Sequence, residues 1–129
     1  DVYKRQMPLQ AIEIAQSDWF AKRQVFLNDW LKIVAQKNMP LFFSGKWQKE
    51  LSFNDFIMLF EYLLGDLICV KLTQPQKNTD LDFDQLSPYY DLESLFNIYS
   101  ELQQAKKLVE QNVQSQLIID QLFITLMNI

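Results

Sequence analysis

The chain has 129 residues, 49% of them hydrophobic, with two glycines, four prolines, one cysteine, no histidine and a formal net charge of −4. That size makes one domain with a real core, and that balance favours long helices over a loop-rich or disordered chain. Without histidine or a second cysteine there is no His-dependent triad, His-ligated metal or disulfide framework, and acids scattered along the chain argue against the basic stripe of a nucleic-acid surface.

The first residue is not Met, and Asp1 to Gln6 show no periodicity that joins them to the residues from Met7 on. We read residues 1–6 as a cloning scar or the remnant of an upstream segment, and 7–129 as the helical domain. Pro8 suits the first turn of a short helix to about Ala15, with Leu9, Ile12 and Ala15 inward. Ser17 or Asp18 then caps a longer helix to about Gln36. Its spacing puts Phe20, Leu27, Trp30, Leu31 and Val34 on the buried side and Lys22, Arg23, Asn28, Asp29 and Lys32 outside. Trp19 and Trp30 are core or interface anchors, since no basic groove interleaves them as base-stacking platforms require.

Asn38-Met39-Pro40 ends that helix and starts a short one from Leu41 to about Lys49, weakened by Gly45. Leu41, Phe42, Phe43 and Trp47 give it more apolar surface than a short helix buries alone, so it packs on its neighbours, with core favoured over interface. Ser52-Phe53-Asn54-Asp55 has the form of a capping box. The helix after it, to about Leu72, carries Phe53, Phe56, Ile57, Phe60, Leu63, Leu64, Leu67 and Ile68 at helical intervals. Met58, Leu59 and Tyr62 widen that arc, which marks the central helix of the bundle. Glu61, Asp66 and Lys71 interrupt the run, which falls short of the ~20 apolar residues a membrane span needs. Cys69 lies inside it and reads as a buried thiol in a reducing, cytoplasmic setting.

Thr73 to about Asp84 is polar and reads as an exposed loop, tacked at its end by Leu81, Phe83 and Leu86, with a short helical turn before Pro88. Asp80, Asp82 and Asp84 have the spacing of a calcium loop, but the glycine and distal glutamate of an EF-hand are missing, so solvated loop carboxylates are the reading. Gly45 and Gly65 cannot make a phosphate-cradling loop. No catalytic residues, metal ligands or cofactor are assigned, and this stretch of chain is expected to carry out no reaction.

Asp91 N-caps a helix from about Leu92, with an inward stripe of Leu95, Ile98, Tyr99, Leu102, Ala105 and Val109. A tight connection at Asn112 and Val113 leads to a last helix reaching Asn128. Winding it at about 100° per residue puts Ile118, Ile119, Leu122, Phe123, Leu126 and Met127 on one half and Gln116, Asp120, Gln121, Thr125 and Asn128 on the other. Leu117 and Ile124 break the pattern, landing together in the polar half. Two readings stand: they are isolated exposed apolar residues, or they form a strip that meets another subunit, since a seven-residue spacing keeps two side chains on one line. On the second reading Leu117, Asp120, Gln121 and Ile124 are the candidate interface.

The run Asn112-Val113-Gln114-Ser115-Gln116-Leu117-Ile118-Ile119-Asp120-Gln121-Leu122-Phe123, after a helix with the cadence Leu95 to Leu108, resembles the C-terminal domain of the delta prime subunit of bacterial DNA polymerase III. Pro8 to Ile14, followed by Ser17-Asp18-Trp19, resembles the place where that domain begins. Asn112 and Gln116 fall in the family's turn motif, while Gln114 and Ser115 stand where the family often has Asn and Pro. The resemblance implies an all-α, collar-like bundle of five or six helices that holds clamp-loader subunits together while the sliding clamp is loaded in DNA replication. It further implies a cytoplasmic hetero-oligomer whose ATP sites and zinc module lie in N-terminal domains outside this chain, with no direct contact to nucleic acid or membrane here. The alternative from another class is a free-standing helical adaptor that takes a peptide or partner helix in an apolar groove. A third is an enzyme using the Asp80 to Asp84 acids with a metal.

Overall fold

The computed structural model describes residues 19–36, 40–76, 78 and 80–127. The readings made for residues 1–18, including the first short helix and the cap at Ser17 or Asp18, lie outside these. Among the described residues the fold is an all-α bundle of five helices: α1 (Arg23–Gln36), α2 (Pro40–Glu50), α3 (Phe53–Lys71), α4 (Leu92–Glu110) and α5 (Ser115–Met127). Short 3-10 turns at Phe20–Lys22 and Ser87–Tyr89 precede α1 and α4. Among the described residues no helix is long and apolar enough to cross a membrane.

Each long helix starts and stops where its side chains dictate. The Ser52 hydroxyl accepts the Asp55 backbone N–H at 3.2 Å, and the Asp91 carboxylate accepts that of Ser94 at 2.7 Å. These bonds satisfy donors that the first helical turn leaves open. Both α3 and α4 end in the same device. The N–H groups of Thr73 and Gln74 reach back to the carbonyls of Val70 and Cys69, and those of Asn112 and Val113 to Val109 and Leu108. The residue after each C-cap, Leu72 or Gln111, is left-handed: Thr73 at φ 56° and Asn112 at φ 65°. This is a Schellman closure, which Asn tolerates and β-branched Thr does not without strain.

Helix α3 is the centre, as its wide apolar arc predicts: Phe56, Leu59, Phe60, Leu63, Leu64 and Leu67 have no accessible surface. Around it α1, α2 and α4 pack, while the backbone of α5 lies nearest α2, then α4 and α1. The C-terminal pair therefore does not lie across α3 as a unit. Helix α4 does, whereas α5 is wedged at its flank and meets α3 through Phe123, whose ring centroid is 5.6 Å from that of Phe56. Phe26 sits at the hub, with its ring centroid 5.1–6.4 Å from those of Trp30, Trp47, Phe56, Phe60 and Phe123. Tilted and edge-on pairs of this kind add to what burial alone contributes.

The core departs from the expected faces in several places. The buried arc of α1 is turned toward Phe26, Asp29 and Ile33, leaving Leu31 and Phe20 half-buried. Asp29 is buried because it accepts the Lys46 ammonium at 2.8 Å and the Trp47 indole N–H at 3.0 Å. In α2 only Ser44 and Trp47 are buried, and Leu41 and Phe42, expected in the core, are 57% and 60% exposed. Tyr99 falls at the edge of the α4 stripe and is exposed, with Val109 half-buried. Cys69 is half-buried rather than enclosed.

Nor is the segment between α3 and α4 simply a solvated loop. Asn78 is buried, and both its backbone N–H (2.7 Å) and its side-chain amide donate to the buried carboxylate of Asp66. Arg23 donates to Asn78 Oδ1 at 2.6 Å and holds Asp80 through two bonds of 2.9 Å. Leu81, Phe83 and Leu86 are buried as expected, and the segment thus straps α1 to α3.

Candidate interface on the last helix

The sequence singles out α5, and the reason it can present a surface lies in how it is held. Its inner half, Ile118, Ile119, Leu122, Phe123 and Leu126, is buried. Three polar ties fix its rotation. The Ser44 hydroxyl donates to Asp120 at 2.5 Å, with the Gln48 amide 3.4 Å from the same oxygen. The Thr125 hydroxyl donates to Glu101 at 2.7 Å, and the Tyr90 phenol donates to the Leu126 carbonyl at 2.7 Å.

With α5 held so, Leu117 is 59% exposed, while Ile124, about two turns of helix further on, is half-buried and outside the core cluster. Seven residues at about 100° each bring these two within about 20° of one line. On one side of that line a cleft of about 400 Å³ opens between α5 and α2, lined by Leu41, Gly45, Gln48, Lys49, Gln116 and Asp120. On the other, a smaller and mostly apolar cleft of about 210 Å³ separates α5 from α4, lined among others by Glu101, Leu108, Ile118, Gln121 and Leu122. The outer edge of α5 is therefore a ridge between two grooves.

The structure distributes the candidate residues unevenly. Leu117 and Gln121 are outward, Gln121 on the rim of the α4 cleft, and Gln116 is exposed on the rim of the α2 cleft. Asp120 is half-buried, and the bonds just described turn it onto α2 of its own chain. Asn112 supplies the left-handed residue that sets the angle between α4 and α5, with the Gln114 carbonyl accepting from the backbone N–H groups of Leu117 and Ile118 as α5 begins. What sequence reasoning missed is the contribution of α2: Leu41 and Phe42 are among the most exposed large apolar side chains described, and Leu41 shares a cleft with Gln116. Their apolar excess on so short a helix was the signal.

A third groove, of about 410 Å³, runs between α3 and α4, with Met58, Tyr62, Cys69 and Tyr99 on its walls and the Glu61–Lys106 pair (2.5 Å) across it. The three loop aspartates do not converge. Asp80 is turned onto Arg23, which holds its carboxyl below the usual range chiefly through their hydrogen bonds, and Asp82 accepts the Asp84 backbone N–H at 2.8 Å. Among the described residues no three acids or thiols are grouped as metal ligands would be.

The fold and the ridge together define a class, a small helical bundle whose last helix carries an exposed Leu117 and a half-buried Ile124 on one line. Comparison with known proteins finds no matching family model, no similar curated protein and no similar solved structure.

Proposed function

We propose that this chain is a helical joint of the delta prime collar type, which holds clamp-loader subunits in register during DNA replication and performs no reaction itself. The observation that carries this reading is the ridge: Leu117 and Ile124 stand on one line of a helix whose opposite face is locked into the core. An exposed Leu117 and a half-buried Ile124 at seven-residue spacing suit the seam between two helices. The turn-and-helix run from Asn112 to Phe123 supports the same family. On this reading the protein works in the cytoplasm, its partners are the other loader subunits, and DNA is touched elsewhere in the machine.

The test is co-expression with the other clamp-loader subunits. Wild type is expected to co-purify with them, and Leu117→Lys to remain folded by circular dichroism yet be lost from the complex. A wild-type chain that associates with none of them overturns the reading. The adaptor reading is favoured by the groove between α3 and α4, where Met58 and Tyr99 are 47% and 41% exposed. Substituting those two residues would then abolish binding while Leu117→Lys would not.

A further inference from the structure

The groove between α3 and α4 is built on one face of α3, where Met58, Tyr62, Gly65 and Cys69 recur every three or four residues, and Tyr99 faces them from α4. Met58 and Tyr99 are both exposed, in a space bounded mostly by apolar groups. Its charged groups are already matched. Glu61 holds Lys106 at 2.5 Å, and the Asp66 carboxylate accepts the Asn78 backbone N–H at 2.7 Å. A Cβ built at Gly65 would meet no heavy atom within 4 Å, so the middle of the groove is open to close approach by another backbone. The remaining wall is Trp19, the first described residue, whose ring centroid is 5.5 Å from that of Tyr62.

We propose that residues 8–15 of this same chain fill the groove as a short helix, laying Leu9, Ile12 and Ala15 against Met58, Tyr62 and Tyr99. The inference goes beyond the joint reading and does not rest on it. Where the chain enters the described fold decides the occupant: only Gln16, Ser17 and Asp18 separate this stretch from Trp19 on the groove wall. A helix over 8–15 runs about 12 Å, and Met58 to Cys69 spans about 16 Å along α3, so the lengths agree. Charge agrees too. Glu13 is the only charged residue from Met7 to Ser17, and the charged groups of the groove are taken up by one another or by Asn78. A helix this short needs a surface to fold against, and the groove supplies one. A segment on so short a tether is present at an effective concentration on the order of mM, which a free helix from a partner or a second copy has to exceed.

Cys69 is the chain's single cysteine and lines the groove, so the rate at which a maleimide labels it in the full chain reports the cover. Ile12→Lys is expected to speed labelling by about tenfold or more, the shift that follows from losing the burial of one large aliphatic side chain. Ile14→Lys, on the opposite side of the same turn, should leave it unchanged. From the other wall, Gly65→Leu should fill the space and speed cleavage after Glu13 by a glutamate-specific protease to a similar extent, with the helical circular dichroism kept. A wild-type Cys69 labelled as fast as in Ile12→Lys overturns the proposal. So does protection that rises with protein concentration, which would put a second copy in the groove, or that appears only on adding loader subunits, which would put a partner helix there. Leu117→Lys should leave the labelling rate at its wild-type value, so this inference and the joint reading fail separately.

Discussion

Trp30 and Tyr90 meet in the core, the indole N–H of one donating to the phenol oxygen of the other at 2.9 Å. The phenol in turn donates to the Leu126 carbonyl, so a three-part polar relay ties α1, the turn before α4 and the end of α5 inside an otherwise apolar interior. Its value lies less in the bonds made than in the buried donor and acceptor that would otherwise go unpaired.

Tyr90→Phe should therefore keep the fold and cost about 1–3 kcal/mol, measured by urea unfolding at neutral pH. Its pH dependence adds a check. Burial pushes the Tyr90 phenol well above its ordinary value of 10.0, opposed in part by the bond from Trp30. A raised folded-state pKa gives stability that is whole below the unfolded value and is lost as pH climbs above it. Wild type should lose stability above pH 10.0, and Tyr90→Phe should lose less over the same range.

Thr73 and Asn112 occupy equivalent left-handed positions after α3 and α4, but only one is a residue suited to the task. Thr73→Gly should stabilise by about 0.5–1 kcal/mol, the relief of strain outweighing the extra freedom Gly gives the unfolded chain. Asn112→Val should destabilise by about 1 kcal/mol for the converse reason. Thermal melts of the two variants would move in opposite directions.

Two phenylalanines separate core from surface. Phe60→Ala, at a position with no accessible area, should cost about 3–5 kcal/mol. Phe42→Ser, at 60% exposure, should leave stability within about 0.5 kcal/mol and improve solubility of the isolated chain. Equal losses at both sites in chemical denaturation would mean that α2 is buried more deeply than its exposure indicates.

Asp29 should prove more valuable for the Trp47 indole than for its ion pair. Asp29→Leu strands a buried N–H and should cost about 1–3 kcal/mol. Lys46→Met removes a partner that keeps 31% of its side-chain surface in water, where pairing contributes about 0–1 kcal/mol. The ranking, read from denaturant midpoints, fails if Lys46→Met is the worse of the two.

Helix positions, caps and most of the core were legible because they depend on neighbours a few residues away. Ser52 and Asp91 cap as their spacing implies, Asn112 turns the chain, and α3 buries the arc its periodicity draws. The polar interior was not legible. Asp29, Ser44, Asp66 and Asn78 look like surface residues until partners far along the chain come to them, Asp120 to Ser44 across 76 positions and Asn78 to Asp66 across 12. Periodicity carries no information about such meetings. The exposure of Leu41 and Phe42 escaped for a related reason: composition reveals surplus apolar surface on α2 but not which side a neighbour will cover. The α5 ridge was the converse case, since Leu117 and Ile124 contradicted their own helix and so announced themselves.

The strap between α3 and α4 changes what kind of connection this is. Anchored at Asn78 to one helix and at Asp80 to another, it behaves as two short spans rather than one long one, each closing over fewer residues. Extra residues spliced in between Gln74 and Gln76 would leave the two anchorages intact, whereas the same insertion between Leu81 and Leu86 would pull buried side chains out of the bundle. A fluorescent or affinity tag carried by this domain therefore has a natural berth just after Gln74, past the bonds that close α3.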